Sequence, residues 1–225
     1  MDGGNLIHCE GIVSCVEPEE VGYVEENNIN ADAFRKFFFS GFGLDYIMDY
    51  CLANNIHFHI ATHSRATKTC KEKAAITGLP LERVIKGFYL EDRETGKIYA
   101  LAIPGEFGYS ISKLSGFLGL SVEEGERRIA KADESILPLG IKYGTVHPFP
   151  NGDVFKDIKL ENILFDANFV RKRSEGNGLD DFSFTAHPRW GYDNFRLSIQ
   201  MKYNHAKEIL ENKFGKEIVR EIELV

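Results

Sequence analysis

An ammonium group on the apolar face of a strand is costly unless something meets it, and Lys86 is set in that position. In the run Val84-Ile85-Lys86-Gly87-Phe88-Tyr89-Leu90 a period of two puts Lys86 beside Val84, Phe88 and Leu90. Such an amine either snorkels off the strand end or reaches a partner, a cleft or an anionic ligand. Gly87 removes one neighbouring side chain and lets a ligand approach the backbone. A second feature is Gly144-Thr145-Val146-His147-Pro148. Its glycine frees the backbone and its proline lacks an N–H, so the amides of Thr145, Val146 and His147 could converge on a carbonyl or an oxyanion. The same five residues also read as an ordinary turn.

Other chemistries find less support. His57, His59 and His63 invite a metal reading, because His57 and His59 would leave one strand face together, as many zinc pairs do. The segment is H-x-H-x-x-x-H with no acid inside it, so the H-x-H-x-D-H pattern of dinuclear hydrolases is not met. Satisfied or surface histidines are the expectation, and no metal. There is no G-x-S-x-G, and Gly108-Tyr109-Ser110-Ile111-Ser112 lacks the closing glycine of that motif. Cys70 opens a helix, where the dipole would favour a thiolate, but no committed base accompanies it. Nor is there a G-x-x-x-x-G-K-[ST] or G-x-G-x-x-G phosphate loop.

Charge is unevenly placed. The 225 residues carry 34 acidic and 27 basic side chains, a formal net charge of -7. Residues 1–34 hold Asp2, Glu10, Glu17, Glu19, Glu20, Glu25, Glu26 and Asp32 and no Lys or Arg. The rest is nearly neutral and therefore compatible with a polyanionic partner. Arg65, Lys68, Lys71 and Lys73 form one basic cluster against Glu72, and Arg171-Lys172-Arg173 a second. Each is either a solvated face or an anion contact. Cys9, Cys15, Cys51 and Cys70 contain no C-x-x-C pair, so free thiols in a reducing compartment are expected. No apolar run approaches the roughly 18 residues of a membrane span. No basic residue precedes Arg35, so the N-terminus has neither a secretory nor an organellar character. A cytoplasmic protein without membrane association is expected.

The elements that must position these residues follow from periodicity and punctuation. Asn30 can cap a helix over 31–39, and 44–53 resumes a helical pattern. A strand is expected over 56–61. Thr69-Cys70-Lys71-Glu72 is a capping box opening a short helix. Val84 to Leu90 and Lys97 to Ile103 read as a hairpin across Asp92-Arg93-Glu94-Thr95-Gly96. Helices are expected at 112–118 and 123–132, the second opened by the Ser121 and Glu124 box. Short strands follow at 144–150, 154–158, 163–165, 182–185 and 194–200, with a loop at 174–181. A helix or pair of helices, broken near Gly215, completes the chain. The order indicates a mixed α+β domain rather than a βαβ series. Residues 1–43 read as an N-terminal extension, 44–212 as the domain and 213–225 as a helical tail.

In order and spacing, these pieces resemble the YbaK/EbsC family of aminoacyl-tRNA deacylases, relatives of the editing domain of bacterial-type prolyl-tRNA synthetases. The resemblance runs from about Leu44 to Leu210. It includes the Ile56-His57-Phe58-His59 strand, Thr67 to Ala75 followed by Gly78-Leu79-Pro80, and Val84-Ile85-Lys86. It continues through Gly144 to Pro148 at the family's G-x-x-x-P loop, Ile163-Leu164-Phe165-Asp166, and Gly191-Tyr192-Asp193-Asn194 at a closing turn.

The resemblance implies a mixed, mostly antiparallel sheet or open barrel flanked by helices. It also implies hydrolysis of the ester joining a mischarged amino acid to tRNA, with no cofactor. Lys86 would contact the carbonyl or a nearby phosphate, and Gly144, Thr145, Val146, His147 and Pro148 would form the donor loop. Arg65, Lys68, Lys71 and Lys73 would hold the acceptor end, with His63, Asp166, Gly191 and Asn194 also lining the substrate site. An aminoacyl-tRNA synthetase is a further partner. Two alternatives stay open: an inactive tRNA- or synthetase-binding module of the same fold, and a metal-dependent hydrolase using His57, His59 and His63.

Overall fold

The computed structural model describes residues 6–7, 29–30, 45–56, 59–63, 69–77, 80–136, 147–150, 159–168, 181–186 and 196–225. The described chain begins with strands β1 (Leu6–Ile7) and β2 (Ile29–Asn30), helix α1 (Asp45–Ala53), strand β3 (His59–His63) and helix α2 (Cys70–Thr77). The hairpin β4 (Ile85–Asp92) and β5 (Lys97–Pro104) is followed by α3 (Ile111–Leu118), α4 (Val122–Arg128) and β6 (Ile129–Lys131). Then come β7 (Lys159–Asp166), β8 (Asp181–Ala186), β9 (Arg196–Lys202), α5 (Tyr203–Phe214) and β10 (Val219–Ile222). Five strands form a sheet in the order β10-β7-β5-β4-β6, and β3-β9-β8 form a second. In the large sheet β10, β7 and β5 run parallel, while β5, β4 and β6 pair antiparallel. The α+β reading and the mixed, open sheet flanked by helices are therefore present; the antiparallel majority expected holds when the β3-β9-β8 sheet is included, while the large sheet is half parallel.

β5 is the central strand, and its sequence says why. Ile98 through Pro104 are all buried, as a strand covered on both faces requires. Ile98, Ala100 and Ala102 face one core, with Ile47 and Cys51 of α1 and Ala206, Ile209 and Leu210 of α5. Tyr99, Leu101 and Ile103 face the other, with Leu114 of α3, Leu164 and Leu224. Gly96, at φ 66°, closes the hairpin turn with its amide on the Asp92 carbonyl. The capping boxes at Thr69/Glu72 and Ser121/Glu124 both form.

Several expectations need correction. The helix expected over 123–132 stops at Arg128. Ile129–Lys131 instead pair with Leu90–Asp92 as an edge strand, which places Ile129 in the second core. The helical tail is half right: α5 runs to Phe214, Gly215 at φ 101° ends it, and the chain returns as β10 alongside β7. The strand expected at 144–150 is irregular over 147–150, and the strand expected at 56–61 runs later, over His59–His63. The expected helix at 31–39 and strand at 154–158 lie outside the described residues, as does the loop expected at 174–181 apart from Asp181, which begins β8. Among the described residues no helix is long and apolar enough to cross a membrane.

Candidate functional site

Lys86 is the second residue of β4 and pairs in register with Ile103. It is half-buried, and its amine has no hydrogen-bond or ion-pair partner among the described residues. Ile85 and Tyr89 point into the first core and Phe88 and Leu90 into the second, so Lys86 leaves the sheet on the side of Phe88. β6 reaches β4 only at Leu90–Asp92. Among the described residues, Ile85 to Phe88 therefore carry no ladder on that edge. Gly87, buried between Lys86 and Phe88, offers backbone there without a side chain.

Helix α2 sits against the same end of the hairpin. A Cβ on Gly105 would lie 2.6 Å from the Cβ of Cys70, 3.0 Å from its Sγ and 3.0 Å from the Val84 carbonyl. The Gly105 amide donates to that carbonyl at 2.7 Å. Cys70 is thus packed one residue away from the start of β4, and it is a free thiol. Lys73, one turn along α2 on the same side, is only 4% exposed. Loss of water pushes its amine down to about 7, with Cys70 opposing the shift. The sequence groups Lys73 with the surface cations. The structure corrects this, because its helix face is the one that meets the sheet; Lys71, two residues earlier, is exposed.

Of the Gly144 to Pro148 loop, His147 and Pro148 are described, and both are buried. The Tyr89 hydroxyl donates to the His147 carbonyl at 3.3 Å, and the His147 Nδ1 accepts the Phe149 amide at 3.2 Å. An accepting Nδ1 leaves the proton of the neutral ring on Nε2. Nothing in the sequence marks Tyr89 for this part. Since Tyr89 and Lys86 are three positions apart, the described end of the loop, at His147, and the Lys86 amine lie on opposite faces of β4. Asp166 is fully buried, and its Oδ2 accepts the amides of Leu224 and Val225 at 2.8 and 3.1 Å. It lies two strands from Lys86, about 10 Å away, and tethers the chain beyond β10.

His63 ends β3 opposite Arg196, and His59 begins it opposite Gln200. His57, Arg65, Lys68, Gly144, Thr145, Val146, Gly191 and Asn194 lie outside the described residues. Among the described residues no three His, Cys, Asp or Glu side chains are grouped as a metal site would need.

No family model and no curated protein matches the chain. Solved structures do. The hypothetical protein APE2540 overlays with a TM-score of 0.51 at 16% identity, over 79% of this chain and 98% of that one. The likeness is one of fold. Two others overlap more loosely. A scaffold protein from computational epitope backbone grafting has a TM-score of 0.47 at 13% identity, over 79% of this chain and 94% of its own. A candidate trans-editing enzyme for prolyl tRNA synthetase has 0.45 at 14%, over 73% and 86%.

Proposed function

We propose that the chain is a cytoplasmic trans-editing hydrolase that deacylates mischarged aminoacyl-tRNA. One observation carries the reading: a half-buried ammonium, Lys86, with no carboxylate from the described residues to meet it, beside buried Gly87 on a strand edge that no described strand pairs. An aminoacyl ester is already activated. Positioning water and stabilising the tetrahedral oxyanion suffices, with no covalent nucleophile. Lys86 contacts the carbonyl or an adjacent phosphate, and the amides of the 144 to 148 loop supply further donors. A substrate ribose hydroxyl helps to activate the water. Arg65, Lys68 and Lys71 hold the acceptor end by salt-sensitive phosphate contacts, with His63, Gly191 and Asn194 bordering the site.

The test is a deacylation screen over mischarged tRNAs, beginning with alanyl, cysteinyl and seryl esters, for wild type and Lys86→Ala. Multiple turnover in wild type, lost in a folded variant, supports the enzyme. Tight tRNA binding without turnover identifies a binding module, and a rate abolished by chelators identifies a metal-dependent hydrolase.

A further inference from the structure

An aromatic pair stands next to Lys86 and takes no part in the chemistry above. Phe88 follows Lys86 on the same strand face, about 7 Å along. Tyr109 packs edge-on against it, with ring centroids 5.2 Å apart and planes at 68°. Both rings are only half-buried. Phe107, two residues before Tyr109, is 39% exposed. The loop bearing them leaves the sheet beside Lys86, because Pro104 pairs with Ile85. It is held firmly: the Ser110 amide donates to the Leu224 carbonyl at 2.6 Å, and the Ser110 hydroxyl caps α3 through the Lys113 amide. The Tyr109 hydroxyl has no partner among the described residues, and burial raises its pKa, so it stays a protonated donor at neutral pH.

An edge-on pair fixed in place and partly open to solvent presents a π surface, and a cation two residues away supplies a phosphate contact. Together these are the parts of a nucleotide subsite. We infer that Phe88 and Tyr109 form a stacking platform for the base of the 3′-terminal purine nucleotide of the acceptor end. This rests on the deacylase reading and adds to it what selects the substrate end. Glu106, the acid of the same loop, is exposed, so Lys86 is the group that meets the phosphate.

The experiment measures kcat and KM for deacylation, and AMP binding by titration, for wild type, Phe88→Leu, Tyr109→Leu and Tyr109→Phe. Stacking is worth on the order of tenfold per base. Tyr109→Leu and Phe88→Leu should each raise KM and weaken AMP on that order, with a smaller fall in kcat. Tyr109→Phe, which keeps the ring, should restore most of the affinity. If both leucine variants stay folded and active with KM and AMP affinity unchanged, the platform is overturned while the deacylase reading stands. If wild type never deacylates but binds AMP in a Tyr109-dependent way, the platform stands and the deacylase reading falls. Absence of both overturns both.

Discussion

The two ends of the β4–β5 hairpin handle charge in opposite ways. At the turn, Asp92 is buried, and Arg128 grips it through Nε to Oδ1 at 3.2 Å and Nη2 to Oδ2 at 2.6 Å. The Thr95 hydroxyl adds a bond at 2.8 Å, while Arg127 and Arg128 reach Glu94 at 3.1 and 3.2 Å. Chiefly through the Arg128 hydrogen bond, the Asp92 carboxyl is held down at about 2. At the start of the hairpin, Lys86 has no such partner among the described residues, and Lys73 is held away from water. Bidentate pairing locks a turn and leaves nothing for a ligand to do. An ammonium kept at a strand edge without a carboxylate is instead ready to meet an anion from outside.

Substitutions at the two ends should therefore fail in different ways. Lys86→Ala should lower kcat/KM for deacylation at least hundredfold while moving Tm by no more than a degree or two, read by tRNA deacylation and calorimetry. Asp92→Ala should do the reverse. It strands the Arg128 guanidinium and should cost about 3 kcal/mol, read as a lower urea midpoint, with kcat retained below the transition. Asp92 also gives the closed end an acid signature. A carboxyl whose folded pKa is depressed stabilises above its unfolded value, near 4, and that contribution is lost as pH falls towards about 2. Wild type should lose stability over that window, and Asp92→Ala should lose less.

The closed end is the more legible in sequence. Asp92-Arg93-Glu94-Thr95-Gly96 between two apolar runs states the hairpin, and alternation along β4 puts Lys86 on the face of Phe88 without any structure. The capping boxes are equally local. What escapes are features fixed by distant partners. Lys73 looks like its neighbour Lys71 until α2 meets Gly105, and no local pattern tells which side of that short helix does so. β10 is written in Arg, Glu and two β-branched residues, a composition that suits a charged helix as well as a strand. Its pairing with Ile163 to Asp166 decides the matter. Tyr89 on the His147 carbonyl is another contact between segments far apart in the chain.

Lys73 supplies an intermediate effect. Its amine releases its proton at about 7 in the folded chain against roughly 10.4 when unfolded. Between those values the unfolded state binds more protons, so stability should rise with pH from about 7 towards 10. Below 7 both states are charged and the burial cost is fully present. Lys73→Met, which keeps the length without the charge, should flatten the alkaline rise in urea midpoints. A wild-type midpoint constant from pH 6.5 to 9.5 would mean that the amine reaches water, and with it the contrast between the two ends would weaken.

The smallest effect gives the sharpest comparison, because the same device starts a helix at each end. In α2 the Glu72 amide donates to Thr69 Oγ1 at 3.1 Å and the Thr69 amide to Glu72 Oε2 at 3.2 Å. In α4 the corresponding distances for Ser121 and Glu124 are 3.2 and 2.9 Å. Both boxes are exposed, so Thr69→Ala and Ser121→Ala should each cost about 1 kcal/mol. That is a fall of some 2–4 °C in Tm for a chain of this size. Only α2 carries a cation proposed to meet tRNA, Lys71, and only α2 abuts Val84 and Gly105 at the start of β4. Thr69→Ala should therefore raise KM for tRNA severalfold at low salt, with the difference shrinking as salt is added. Ser121→Ala should leave KM at the wild-type value, since α4 ends in the arginines that close the turn. Equal stability losses with equal KM changes would mean that the two ends differ in charge alone and not in function.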